Sequence, residues 1–330
     1  MSGTTTTPTL SIIIVSWNTK ELVIDCLESV RASFVDASLE IILVDNASAD
    51  GTADLVKQRF KDVNVVQNEA NLGFAKANNI GLRVSSGEYL CLINSDVVVP
   101  PDCLQRMLAY MRQHPDVGML GPKMVLCDGS VGQSCMRFPT PWNWFCRALA
   151  LDSMVKGSRL FGDFMMSGLD HDTTTEVDIL TGWFWMVRRD SLEQVGLLEE
   201  QFFMYGEDID WPKRFHDQGW RVVFYGEAQA LHRCAASSSH APTRFYIEMN
   251  RANMQYFHKH HGRTAIAAFW LAMWLHQIVR VVGYGLLYVV KEPKRSTAGF
   301  KVRRSLACLR WLMGGDQWGE DNERDRQTVQ

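Results

Sequence analysis

Along the first 120 residues, short apolar and β-branched runs alternate with stretches in which apolar positions recur every three or four residues. The runs SIIIVSW (11–17), EIILVD (40–45), VNVVQN (63–68) and YLCLIN (89–94) predict strands. The periodicity between them predicts helices over 20–33, 50–60, 74–84 and 101–113, the last opened by Pro100 and Pro101 and closed before Pro115. Strands alternating with such helices form a parallel sheet with crossover helices, an α/β layout of the nucleotide-binding type. No GxGxxG follows the first strand, which disfavours a dinucleotide fold of the dehydrogenase kind. The stretch 130–175 breaks the pattern: rich in Trp, Phe and Met, it reads as a long insertion that shapes a pocket. Order returns with the strand-like DILTGWFWMVRR, a helix near 190–196, the acidic YGEDIDW opening a helix to Gln218, and the strands WRVVFYG and QALHR.

Residues 264–290 are the longest apolar segment. A helix of that length reaches roughly 40 Å, enough for a bilayer core. Yet His276, Arg280 and Tyr284 fall at i, i+4 and i+8 on one stripe, and both flanks, HKHHGR and KEPKR, are basic. Positive flanks on both sides favour a helix lying in the interface, or a re-entrant hairpin, over a single span. The following FKVRRSLACLRWLM sets Lys301, Arg304 and Arg310 beside Leu306, Leu309 and Leu312, a basic amphipathic helix suited to anionic lipid. Packing of both helices on the domain or on a second copy is the alternative. HKHH (258–261) reads as surface charge rather than a metal tract.

Composition narrows the classes. With 46% hydrophobic and 22% charged residues, the 330-residue chain has core enough for one large domain with appendages. A net charge of -3 leaves no basic excess to neutralise a phosphate backbone, so nucleic acid is not an expected partner. The Cys at 26, 91, 103, 127, 135, 146, 234 and 308 stand singly, as reduced core thiols of a cytoplasmic protein do. MSGTTTTPTL has no basic n-region, so no signal peptide is expected; residues 1–9 read as disordered and 316–330 as a polar tail.

Chemistry gathers where apolar runs end. Asp45 closes the second strand at the carboxyl edge, where open α/β sheets bind ligands, and there it can accept from a base N–H or a ribose hydroxyl. The Asn46, Ser48, Asp50 and Gly51 that follow suit a turn and helix cap equally well. NLGFAKANNIG (71–81) leads into a helix whose free N–H groups, with Lys76, suit an anion, though capping alone explains it too. Asp96, in NSD (94–96), sits at the same edge, where a carboxylate is costly without a partner. A Mg²⁺ or Mn²⁺ bridge to a diphosphate is one solution, and capping of the next turn another. Glu207, Asp208 and Asp210 cluster closely enough to raise one another's pKa and ready one of them as a proton acceptor; an acidic first helical turn is the alternative. His232 closes a further apolar strand. Trp183, Phe184 and Trp185 offer flat faces to an acceptor sugar, or fill core.

In order, SIIIVSWN, EIILVDNASADGT, NLGFAKANNIGL, SGEYLCLINSD, TGWFWMVRRDSLEQVGLLEEQFFMYGEDIDWPKRFHDQGWRVVF and ALHR resemble glycosyltransferase family 2, the inverting transferases of the GT-A fold, and within it the bacterial rhamnosyltransferase-like members. The resemblance spans roughly 10–235. It implies a GT-A domain over 10–262, a single mixed sheet flanked by helices, with a donor half to about 120 and an acceptor half beyond it; membrane-associated helices follow over 263–315. By resemblance Asp45 contacts the nucleobase, with Asn18, Asn71, Gly73 and Lys76 completing the nucleotide-binding set. Asp96 is the last Asp of the DxD element and binds the metal, His232 is a further metal or diphosphate contact, Asp208 is the general base, and Glu207 and Asp210 orient it. Departures are Asn94 for the first Asp of DxD, LLEE for Gly-Phe-Asp-Glu, HRCAAS for a glycine-rich stretch, and Ala307 where processive synthases carry the Gln of Gln-x-x-Arg-Trp.

The resemblance therefore implies single-sugar transfer, of a deoxyhexose such as rhamnose, from a nucleotide-diphosphate sugar to a glycan or lipid-linked acceptor. Its setting would be cell-surface polysaccharide synthesis at the cytoplasmic membrane face, by a peripheral or monotopic protein; a homo-oligomer stays open. Two other classes share features. A sugar nucleotidyltransferase needs a basic Gly-rich loop after the first strand, which SWNTKEL lacks, and a non-catalytic membrane scaffold would not need the acidic cluster.

Overall fold

Each β-branched run of the first hundred residues forms a strand. The computed structural model describes residues 8–33, 35–155, 158, 160–161, 163–233, 242–290 and 295–314. The readings of residues 1–7, of Cys234, of most of the KEPKR flank and of the polar tail lie outside them. Pro8 and Thr9 are ordered, contrary to expectation, because the Pro8 carbonyl accepts from Glu88 N–H at 3.2 Å and the Thr9 carbonyl from Tyr89 N–H at 2.9 Å. Two compact units result: Met1–Phe138 with Leu169–Ala236, and Pro139–Gly168 with Ser237–Gln330.

In the first unit the chain runs β1 (Leu10–Ser16), α1 (Lys20–Ala32), β2 (Leu39–Asp45), α2 (Thr52–Arg59), β3 (Val63–Gln67), α3 (Phe74–Val84), β4 (Tyr89–Asn94), β5 (Val97–Val98), α4 (Cys103–Gln113), β6 (Val117–Val125) and β7 (Cys135–Met136). The second unit interrupts it with α5 (Pro141–Ala148) and α6 (Leu151–Met154). The first resumes with β8 (Thr175–Glu176), β9 (Ile179–Leu180), β10 (Phe184–Arg188), α7 (Arg189–Val195), α8 (Glu207–Asp217) and β11 (Arg221–His232). Among the described residues a nine-stranded sheet has the order β3-β2-β1-β4-β10-β6-β11-β5, with β8 on β11. WRVVFYG and QALHR are one strand, shifted in register between Tyr225 and Gln229 where it pairs with β6.

The sheet is mixed because β10 enters between β4 and β6 antiparallel to both. The central residues of β1 and β2, Ile12 to Ile14 and Ile41 to Val44, are apolar and buried, as in parallel strands covered by helices on both faces. The covering helix α3 approaches closely at Gly81, where a Cβ would stand 2.5 Å from Ile13 Cγ2 and 3.3 Å from Val44 Cγ2.

The expected long insertion is thus divided, and its residues 139–168 belong to the second unit. There α5 begins with a capping box: Asn143 N–H donates to Thr140 Oγ1 at 3.1 Å, Thr140 N–H donates to Asn143 Oδ1 at 2.8 Å, and Pro141 occupies the first turn. The C-terminal part is α9 (Pro242–His260), α10 (Arg263–Val290) and α11 (Arg295–Leu312). Trp144 of α5 meets Phe269 of α10 edge-on at 5.1 Å, and Phe257 of α9 stacks on the same ring at 4.0 Å. His260 and His261, read as surface charge, pack instead on aromatic rings, His261 stacking on Phe257 at 4.7 Å and His260 lying 4.8 Å from Tyr256.

The polar stripe of α10 faces its neighbours. His276 and Gln277 are buried, and Gln277 Nε2 donates to the Tyr246 hydroxyl of α9 at 2.9 Å. The apolar face is the exposed one, with Leu271, Val282, Leu286 and Val289 at 61%, 57%, 62% and 70% exposure. Among the described residues α10 alone is long and apolar enough to cross a membrane by length and composition.

The contact at Gly81 generates a test. Gly81→Ala should destabilise the first unit by about 1–3 kcal/mol through overpacking, although alanine is the better helix former. Urea unfolding with equal or greater stability would show that α3 has room to move.

Candidate functional site

Sheet direction gathers the candidate residues. Strands β1, β2 and β4 run parallel, so Ser16, Asp45 and Asn94 end at one edge. Because β10 runs against β4 with Phe184 opposite Ile93, the start of β10 is level with the end of β4, and Asn94 N–H donates to the Trp183 carbonyl at 2.9 Å. Strand β11 follows β6 in parallel and delivers His232 opposite Val97.

At the β2 end, Asp45 is fully buried. Its Oδ2 accepts from Ser48 N–H at 3.0 Å, while Oδ1 is buried without a partner. A buried acceptor left in this state is costly in a finished protein, so the atom marks a place built to receive a donor. The neighbouring Asn46 is the clamp of this edge: its Nδ2 donates to Asn71 Oδ1 at 3.1 Å and to the Gly73 carbonyl at 3.2 Å, and its Oδ1 accepts from Asn68 Nδ2 at 2.9 Å. Asn18, at φ 51°, is stitched to the same loop: its N–H donates to Ser48 Oγ at 2.9 Å and its Oδ1 accepts from Ala49 N–H at 2.8 Å.

Residues 71–76 differ from the anion-binding junction expected of them. Phe74 N–H, the first donor of α3, is taken by the Phe203 carbonyl at 2.9 Å. Gly73 is required because a Cβ there would stand 2.4 Å from that same oxygen. Lys76 is exposed on α3, and its charge helps hold the Glu200 carboxylate below its usual range, after the hydrogen bonds from Asn79 and Arg83.

At the β4 end, Asp96 and His232 meet, Oδ1 to Nε2, at 3.1 Å with both side chains 13% exposed. Trp183 lies behind the imidazole, ring centres 5.5 Å apart. A hard carboxylate oxygen beside an imidazole nitrogen is a donor pair suited to a divalent cation. Among the described residues, no group of three or more His, Cys, Asp or Glu gathers in a metal-holding arrangement.

The acidic segment is held by positive-φ backbone at Tyr205 (67°) and Gly206 (84°), which turns Glu207 and Asp208 into the start of α8. Its three carboxylates have separate fates. Asp210 is buried and paired with Arg214 Nε at 2.9 Å, and Arg214 spends its other nitrogens on the carbonyls of Val195 and Leu197. Glu207 is buried with Oε2 unpaired, and burial followed by the charge of Asp208 raises its pKa well above the usual carboxylate range. Asp208 is half-buried beside Gly182, where a Cβ would stand 3.4 Å from that of Asp208. Burial pushes its pKa up to about 6, against the lowering effect of backbone N–H groups at Gly206, Asp208 and Gly182. A carboxylate so placed is ionised at neutral pH yet basic enough to take a proton.

Trp183, Phe184 and Trp185, expected to face an acceptor, are buried to 3%, 1% and 0% exposure. Trp185 packs on Trp211 at 5.4 Å and donates Nε1–H to the Leu180 carbonyl at 3.1 Å. These rings are core: Trp185 is covered by Phe74 of α3 and Trp211 of α8, and Trp183 packs on Phe184 and His232.

The sequence pattern of Glycosyl transferase family 2 matches residues 11–196, which covers all the strands that build this edge except β5's partner β11. The chain belongs to glycosyltransferase family 2. It is rhamnosyltransferase-like: the N-acetylglucosaminyl-diphospho-decaprenol L-rhamnosyltransferase of Mycobacterium tuberculosis is 30% identical over 215 residues, covering 62% of this chain and 69% of that protein. The glycosyltransferase AglE of Haloferax volcanii is 23% identical over 234 residues, covering 69% and 68%. Among solved structures, a mannosyltransferase from Pyrobaculum calidifontis, in complex with GDP-Man and Mn²⁺, superposes with a TM-score of 0.57 at 17% identity, covering 94% of this chain and 88% of that one. GalNAc-T7 with UDP, GalNAc and Mn²⁺ gives 0.53 at 14% identity, covering 77% and 50%. The fold of this family 2 member is thus GT-A-like, an α/β mixed sheet with flanking helices.

Sequence reasoning passed over Asn46 and Arg214. Asn46 was legible only as a turn residue, and its partners lie more than twenty positions away. Arg214, four residues after Asp210, carried an i,i+4 ion-pair signal.

The raised pKa of Asp208 has a consequence for stability. A carboxyl group whose folded pKa lies above its unfolded value binds protons better in the native state, so stability falls as pH rises from about 4 through about 6. Asp208→Asn should remove part of that fall, leaving the variant relatively more stable at pH 7 than at pH 4.5 when both are unfolded in urea. An unchanged difference between the two pH values would contradict the raised pKa.

Proposed function

We propose that this glycosyltransferase moves a single sugar, a deoxyhexose such as rhamnose, from a nucleotide-diphosphate sugar to a lipid-linked acceptor, with inversion, at the cytoplasmic face of the membrane. The observation that carries the reading is the half-buried Asp208 with its pKa at about 6, beside Gly182, with Asp45 Oδ1 left without a partner and Asp96 meeting His232 at the ends of the sheet strands. The sugar and the acceptor class follow the mycobacterial relative, and the exposed apolar face of α10 supports membrane attachment.

In this reading Asp45 Oδ1 accepts a hydrogen bond from the base or ribose, while Ser48 and the Asn46 clamp hold that edge still. Asp208 takes the proton from the acceptor hydroxyl as its oxygen attacks the anomeric carbon from the side opposite the diphosphate. One displacement from that side inverts the anomeric centre. Asp96 and His232 would hold Mg²⁺ or Mn²⁺, which when bound neutralises charge on the leaving diphosphate. Glu207, its pKa raised by burial and then by the charge of Asp208, is held toward its protonated form, which favours Asp208 as the group that accepts the proton.

Asp208→Asn keeps the shape and removes the basicity, so turnover should fall by a factor of about 10² to 10⁴ with donor affinity retained. Glu207→Gln should cost less. Near-normal turnover in Asp208→Asn, with Glu207→Gln inactive, would assign the base to the other carboxylate.

Asp96→Ala and His232→Ala should each weaken donor binding in Mn²⁺ but leave the affinity in EDTA unchanged. Equal losses in both, measured by calorimetry, would mean that these side chains act without a metal.

A further inference from the structure

The overall charge of -3 conceals a strong local excess: residues 242–314 carry twelve Lys and Arg against two acids, Glu248 and Glu292. Glu248 is already paired with Arg251 at 3.1 Å, and Glu292 lies outside the described residues. Three of the cations converge inside the second unit instead of spreading over its surface. The Tyr246 ring of α9 has the Arg304 guanidinium 4.3 Å away and that of Arg280 6.0 Å away. The Tyr284 ring of α10 has Arg280 at 5.1 Å and the Lys301 ammonium at 4.8 Å. Arg304, Tyr246, Arg280, Tyr284 and Lys301 thus alternate cation and ring. Among the described residues no ion pair involves any of the three cations, and the Nε atoms of Arg280 and Arg304 are buried without a hydrogen-bond partner.

Ring faces soften this repulsion but do not replace a counter-ion. Burial, and after the opposing influence of Tyr246 the charge of Arg280, lowers the Arg304 pKa from its ordinary value. His276 is held down to about 4, first by burial and then by Arg280, with Arg147 and Arg304 also contributing. Three cations held together with no acid paired to them among the described residues leave an anion to be supplied from outside the cluster.

We propose that Arg280, Lys301 and Arg304 bind the diphosphate of a lipid-linked acceptor. The proposal rests on the reading of that acceptor as lipid-linked and adds where its head is held. Three converging cations match a diphosphate, which carries at least two negative charges, better than a phospholipid phosphodiester, which carries one. Guanidinium groups also suit bidentate contact with phosphate oxygens. The three side chains are half-buried, so an anion can approach them; Arg280 stands on α10, whose other face is exposed and apolar, and Lys301 and Arg304 stand on the neighbouring α11. The helix pair thus offers, on α10, a surface for the hydrocarbon and, between α10 and α11, a cluster of charge for the head.

The test uses the full chain and three vesicle preparations: phosphatidylcholine alone, phosphatidylcholine with a small fraction of geranylgeranyl diphosphate, and phosphatidylcholine with phosphatidylglycerol added to the same surface charge. The parent chain should bind the diphosphate vesicles at least about tenfold more tightly than the phosphatidylglycerol ones. Arg280→Met with Arg304→Met should erase that margin. No margin in the parent, or a margin that survives the double substitution, overturns the site and leaves only general attraction to anionic lipid. Removing unpaired, half-buried cations should leave the thermal midpoint without ligand unchanged or higher; a clear fall would make the cluster a structural element and overturn the proposal. Hydrolysis of nucleotide-sugar donors by the parent chain reports separately: its absence defeats the transferase reading and leaves the vesicle result standing.

Discussion

The candidate site depends on one strand running the wrong way. Had β10 entered the sheet parallel to β4, its first residues would lie at the far edge; running antiparallel, it brings Gly182 and Trp183 level with Asn94. The single bond from Asn94 N–H to the Trp183 carbonyl fixes that level. Gly182 then leaves room for Asp208, Trp183 backs His232, and His232 reaches Asp96. The geometry of the edge is therefore set by sheet register, which is stiffer than a loop.

Much of this was legible from the chain alone, for a physical reason. Strands β1, β2 and β4 are mostly buried, so they read as continuous apolar runs, and a carboxylate or imidazole that ends such a run stands out. Asp45, Asp96 and His232 stand out in that way, and Asp208 by its acidic neighbours. Other positions depended on contacts between distant segments. Gly73 looked like an anion cradle, yet it is glycine because of Phe203, 130 residues later. Phe184 and Trp185 carried no local sign of which strand they would insert beside, and an aromatic ring reads alike whether it meets a sugar or a neighbouring helix.

Charge compensation within the first unit is selective. Arg214 is spent on Asp210 and on two carbonyls, which ties α8 to the end of α7 and leaves no guanidinium for Asp208. A salt bridge at Asp208 would steady the fold and lower the pKa that makes the group useful. The same contrast recurs in the second unit, where Arg251 has its acid and Arg280 has none. In both units the groups left uncompensated are the ones to which a substrate is proposed to bring the complement.

The contact between Gly73 and Phe203 has a mechanical side. The loop that Asn46 clamps at the β2 edge and the segment that leads into Tyr205, Gly206 and Asp208 touch backbone to backbone, with no side chain between them to give way. Such a joint transmits displacement as a rigid rod does. A displacement of residues 68–73 would therefore press on the segment that leads into the positive-φ turn ahead of Asp208.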